Sequence, residues 1–269
     1  MRRSRLDHGE GRGTLGWFAA EIVVIVAGVL IALTIDSWWS AREDADRGRA
    51  YLVRIEEDLR ADVGALETRL AYNAGVQRFL DAAEAHLVTG TMRDGSAWRT
   101  VVAYWHASQI WPYVSTTRTY DEMRNSGDLG LIRDPDLRAA LATYYSESEV
   151  SQGRWIFGLI PEYRTQIRGL TPLTVQRYMI EACSRQDAYD NQVLTDCDPP
   201  ISEADASDLL ARYRAAPGIL ENLRYWGANL NVSDTIMGLT RGVATKLAER
   251  VGSAASGGAG ASRESGEDS

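Results

Sequence analysis

An acidic side chain inside an apolar run is the most consequential pairing of residue type and position in this sequence. Glu21 lies within LGWFAAEIVVIVAGVLIALTI, Leu15 to Ile35. An acid near mid-membrane costs about 3 kcal/mol on insertion scales, and each surrounding Leu, Ile, Phe or Val returns about 0.3 to 0.6 kcal/mol, so insertion still wins. Glu21, Ile25, Gly28 and Ala32 recur at the spacing of one helical stripe, and Gly28 with Ala32 is a small-xxx-small pair. Such a stripe admits a second helix backbone and gives the carboxyl somewhere other than lipid to point. The expected chemistry is an intramembrane contact, either with another membrane protein or with a second copy; an isolated anchor with a protonated or snorkelling Glu21 is the plainer alternative.

Two further groups have chemistry in their residue types. Trp105, Trp111, Tyr113, Arg118, Tyr120 and Arg124 combine aromatic surface with guanidinium donors, which suits a pocket for an acidic or aromatic small molecule, with Trp105, Arg118 and Tyr120 as its expected core. Aromatic residues at helical spacing also suit a plain core. Cys183 and Cys197 are the only cysteines and bracket a polar, Asp- and Pro-rich stretch. A disulfide closing that loop would contribute about 3 kcal/mol in the chain-entropy model and would need an oxidising compartment; two unrelated thiols are the other reading.

Other patterns carry less. Gly11, Gly13 and Gly16 spell G-x-G-x-x-G, but a nucleotide fingerprint needs a preceding strand, and this one abuts the apolar run. His8, His86 and His106 lack the spacing of a zinc site. No nucleophile elbow or other catalytic signature is present, and Glu56, Glu57 and Asp58 read as a solvated helix face. No cofactor, metal site or enzymatic activity is expected. The formal charge of -8 gives no basic footprint for nucleic acid. Lys246 is the sole lysine among 29 basic residues, a bias of composition rather than of a site.

These groups need elements to position them, and the chain of 269 residues, 45% hydrophobic and 25% charged, is ample for a folded core. Leu15 to Ile35, at about 1.5 Å per residue, reaches about 31 Å and matches a hydrocarbon core of about 30 Å. Trp17 at one end and Trp38 with Trp39 at the other suit the two interfaces. Small residues for signal cleavage do not follow the run, so an uncleaved anchor is expected. Basic residues flank it on both sides, and the charge rule does not orient it; the size of the following domain and the cysteine pair favour a periplasmic domain.

Beyond the anchor the period is helical. Leu52, Leu59 and Leu66 with Ile55, Val63 and Leu70 form one stripe, and Val76, Phe79, Leu80, Ala83 and Leu87 a second. A turn is expected over residues 89 to 96. A helix carrying Trp98, Val101, Val102 and Trp105 then runs toward Pro112. Asp134 with Pro135 starts another, Pro161 ends or kinks the stretch with Trp155, Ile156, Leu159 and Ile160, and Pro172 opens a short helix. Residues 186 to 201 read as a loop, and no strand is expected. Ser202 with Asp205 caps the next helix, and Pro217 sits in the first turn of a last one through Leu247, weakened by Gly227, Gly238 and Gly242.

The blocks AEIVVIVAGVLIALTIDSWW and RAYLVRIEEDLRADVGAL, with TYDEMRNSGDLGLIRDPDLRAALATYY from Thr119 to Tyr145, resemble a family of bacterial membrane proteins known as domain of unknown function 6090. The resemblance covers roughly residues 15 to 150. Thr34, Asp36 and Ser37 depart from the Gln and Asn that family members often carry there. It implies one N-terminal membrane helix and a helical domain outside the cytoplasm, with no established activity.

The sequence therefore predicts an all-α protein: residues 1–14 cytoplasmic, 15–35 a transmembrane helix, 36–251 a helical, periplasmic domain, and 252–269 a disordered tail. The expected function is a non-enzymatic, membrane-anchored interaction module of an inner-membrane assembly. A ligand-sensing helical bundle is the alternative.

Overall fold

The computed structural model describes residues 11–148, 160–188 and 191–264, with side chains over 21–146, 160–186 and 192–257. The first ten residues, the Trp155, Ile156 and Leu159 stretch and the last five residues lie outside the described residues. The fold is all-α apart from one small hairpin. In chain order the helices are α1 (Gly11–Thr89), α2 (Ala97–Ala107), α3 (Arg118–Ser126), α4 (Pro135–Ser148), α5 (Glu162–Leu170), α6 (Leu173–Ala182), α7 (Glu203–Ala215) and α8 (Ile219–Glu264). The chain divides into two compact units, Met1–Ala50 and Tyr51–Ser269.

In the first unit the residues from Ile22 to Ile35 lie on α1, with every side chain exposed. This is the one segment among the described residues apolar and long enough to cross a membrane.

The second unit is built round α2. All of its residues except Arg99 are buried, as expected of a helix that is apolar on every side. Ser96 caps it, its side chain accepting from the Arg99 N–H. The helix ends at Ala107, earlier than Pro112, because Ser108 turns back onto the Trp105 carbonyl with both N–H and hydroxyl. A first core gathers Val76, Phe79 and Leu80 of α1, Trp98, Val102 and Trp105 of α2, Tyr163 and Ile167 of α5, and Leu209 and Tyr213 of α7. A second gathers Ile55 and Leu59 of α1, Tyr120 and Met123 of α3, Leu137 and Leu141 of α4, and Leu247 and Val251 of α8.

Several expected boundaries move. The two predicted stripes after residue 50 belong to one unbroken α1, which stops at Thr89 where Gly90 takes φ +77. Residues 184 to 194 are not a loop throughout: β1 (Ser184–Ala188) and β2 (Asn191–Leu194) pair antiparallel, with Ser184 opposite Leu194. Asp134 caps α4 as expected, accepting from the Asp136 and Leu137 N–H groups. Pro161 and Pro172 both stand immediately before helices, α5 and α6. Pro217 precedes α8 instead of opening it, with Gly218 at φ +69 between.

Helix α8 does not stop at the expected boundary. It continues to Glu264, and Ala255 is buried in the second core. Gly227 does not weaken it either: a Cβ there would stand 3.1 Å from Leu80, and the missing side chain lets α8 approach α1 closely.

Candidate functional site

Glu21, Gly28 and Ala32 all lie on α1 of the first unit and are exposed. A Cβ at Gly28 would meet nothing within 4 Å.

In the second unit, Trp105, Arg118 and Tyr120 do not form one pocket, which corrects the expected grouping. Trp105 is fully buried in the first core, where the Arg168 guanidinium carbon lies 3.1 Å from its ring centroid. Tyr120 belongs to the second core, stacked on Tyr145 at 4.5 Å. The Arg118 side chain is exposed and pairs with Asp58 at 3.3 Å. Helical period is the reason: each aromatic falls on the inward face of its own helix, and those faces look into different cores. The companions scatter likewise, Trp111 meeting Tyr72 edge-on at 5.0 Å and Arg124 pairing with Asp121 at 2.9 Å.

The polar site that the structure does assemble rests on two aspartates one turn apart on α1. Asp58 is buried, which corrects its reading as part of a solvated face. Its Oδ2 accepts from the Thr119 hydroxyl at 2.6 Å and the Thr119 N–H at 3.2 Å. Asp62 Oδ1 accepts from the Thr116 N–H at 2.8 Å and Oδ2 from the Tyr144 hydroxyl at 2.7 Å, and Tyr144 meets Tyr113 at 3.2 Å. Burial pushes the Asp62 carboxyl up, and the bonds from Tyr144 and Thr116 oppose it. Burial likewise raises Tyr144 and Tyr113, which keeps both hydroxyls as donors. The arrangement binds residues 113–119 to α1. Sequence alone offers no signal for it, because acidic residues in a leucine stripe look like helix surface until the loop that covers them is placed.

Cys183 and Cys197 form a disulfide, Cα to Cα 4.9 Å. It closes the hairpin against the end of α6, and the Thr195 N–H donates to the Cys183 carbonyl at 3.1 Å. Among the described residues there is no group of three His, Cys, Asp or Glu arranged to hold a metal ion.

Compared with protein-family models, with curated proteins and with solved structures, the chain matches none.

A surface feature escaped the expected pattern of α8. Leu223, Leu230, Met237, Ala244 and Val251 face inward at seven-residue spacing, while Tyr225, Val232, Leu239 and Val243 are exposed. This second apolar seam borders an open groove of about 600 Å³ between α4 and α8, lined by Ala140, Tyr144, Ile236, Leu239 and Val243 and edged by Lys246. The heptad spacing of both seams was visible in the sequence.

Proposed function

We propose that the chain is a non-enzymatic, single-pass protein of the bacterial inner membrane, its N-terminus cytoplasmic and its helical unit periplasmic, which engages another membrane protein or a second copy. The observation that carries this is the uncovered apolar run from Ile22 to Ile35 on α1. Ten exposed large apolar side chains in one run of fourteen residues are costly in water and stable in lipid. The Cys183–Cys197 disulfide supports an oxidising compartment for the second unit. The resemblance of the first half of the chain to domain of unknown function 6090 implies the same architecture.

Contact within the membrane is assigned to Glu21, Gly28 and Ala32, whose stripe is open to an approaching helix. The outward seam of α8 and its groove support protein engagement by the second unit, since exposed apolar patches of this kind mark interaction surfaces. The test is purification of the full-length protein in mild detergent beside its Glu21→Ala variant, with the companions of each identified by mass spectrometry and the mass of each complex measured. A companion or second copy present with the wild type and lost with Glu21→Ala is expected. Identical companions and mass for both proteins would remove Glu21 from the contact.

A further inference from the structure

Independently of the membrane anchor, four buried donors in the second unit lack anything to donate to. Nε and Nη2 of Arg168, Nε1 of Trp105 and the Tyr72 hydroxyl have no hydrogen-bond partner among the described residues. More than nine in ten buried polar groups in folded proteins are satisfied. The four named here share surroundings, while His106 Nδ1 and Ser233 Oγ are further buried atoms without a partner among the described residues. Arg168 lies over the Trp105 ring at 3.1 Å, and the Tyr72 hydroxyl sits in the combined field of Arg164, Arg168 and Arg69.

The charge is as one-sided as the donors. Arg164, one turn before Arg168 on α5, gives its Nη1 to the Ser108 carbonyl at 2.6 Å and to the Gln109 side-chain oxygen at 3.4 Å, both neutral acceptors. Neither Arg164 nor Arg168 forms an ion pair with a described Asp or Glu. Burial, with Arg164 beside it, pushes the Arg168 guanidinium down to about 9. A half-buried cation without a counter-charge is destabilising, and removing the charge is then expected to stabilise the fold.

The two Arg168 nitrogens and Trp105 Nε1 can only donate, whereas the Tyr72 hydroxyl can donate or accept and the nearby His106 Nδ1 is an unpartnered acceptor among the described residues. A group that satisfies the Arg168 edge and Trp105 accepts hydrogen bonds and carries negative charge. Nε and Nη2 are the two nitrogens on one edge of the guanidinium, and their parallel N–H bonds match the two oxygens of a carboxylate. A cleft of about 440 Å³ between α1 and β2 has Tyr72 in its wall, with Glu67, Arg78, Gln192 and Leu194. Tyr72 therefore belongs both to the cleft and to the donor group.

We propose that Arg168, Trp105 and Tyr72 form a binding site for a small organic carboxylate, held on the Nε–Nη2 edge of Arg168 and reached from the cleft at Tyr72. The donors have no accessible surface, so the Tyr72 ring acts as the gate that must move for the anion to enter.

The test uses full-length protein in detergent at constant ionic strength, with chloride as the background anion. Acetate, benzoate, phosphate and sulfate are titrated separately, and thermal unfolding and tryptophan fluorescence are followed. A saturable rise in Tm with acetate or benzoate is expected, lost in Arg168→Met and weakened at least about tenfold in Arg168→Lys, which keeps the charge but not the fork. Arg168→Met itself is expected to unfold at or above the wild-type temperature, so its silence would not reflect misfolding. The proposal is overturned if neither carboxylate gives a saturable change, if only phosphate or sulfate does, or if Arg168→Met responds like the wild type.

Discussion

His106 shows how one buried side chain sets a measurable pH dependence. Its Nε2 donates to the Thr195 carbonyl at 3.0 Å, its ring lies against Phe79 at 4.7 Å, and burial pushes it down to about 4. In the unfolded chain it titrates near 6.5, so between about pH 4 and pH 6.5 the unfolded state binds the extra proton, and the native state loses stability as pH falls through that window. The full effect, reached below about pH 4, is on the order of 3 kcal/mol. Asp62, pushed up by burial, works in the opposite direction, since a raised carboxyl loses stability as pH rises. The difference between wild type and His106→Gln isolates the histidine, because Gln retains an N–H for Thr195. Urea unfolding from pH 7 to pH 4 should show the wild type losing ground steadily against the variant; parallel curves would mean that His106 titrates normally. At this scale the disulfide of Cys183 and Cys197 was one of two readings open in the sequence, two unrelated thiols being the other, whereas the role of His106 depends on Thr195, far away in sequence.

Among the elements, the start of α3 depends on a residue of α1. Thr117 precedes α3 without a side-chain cap of its own, and Asp58 supplies the acceptor instead, for both the Thr119 hydroxyl and its N–H. Asp58→Ala leaves two buried donors unpaired and should lower stability by about 2 kcal/mol, while Asp58→Asn, which keeps one oxygen, should cost less. Denaturant midpoints with unchanged slopes would check this, and an Asp58→Ala midpoint equal to wild type would mean that the donors find other partners. Helix starts with local chemistry were readable in sequence, as Asp134 before Pro135 and Ser202 before Asp205 show. Starts supplied from another helix were not. The hairpin was hidden for a related reason: Ser184 to Leu194 has no alternating apolar pattern, and its pairing is held by the disulfide and by contact with α6.

At the scale of the molecule, helical periodicity was sufficient for the all-α class, because apolar residues recur at helical spacing in nearly every segment of the chain. It was not sufficient for the ligand pocket, since Trp105 and Tyr120 share a sequence neighbourhood but enter different cores. Nor could it separate the two faces of α8, each with its own seven-residue repeat. The apolar run of α1 is a different matter: its meaning lies in composition and length, and the fold leaves it uncovered. The central claim is that this run holds the chain in a membrane with the second unit on the oxidising side. Protease added to spheroplasts with intact inner membranes tests both parts at once. The account predicts that the second unit is digested while a short fragment containing residues 15–35 is protected. A full-length chain that resists external protease, or complete digestion with no protected fragment, would contradict it.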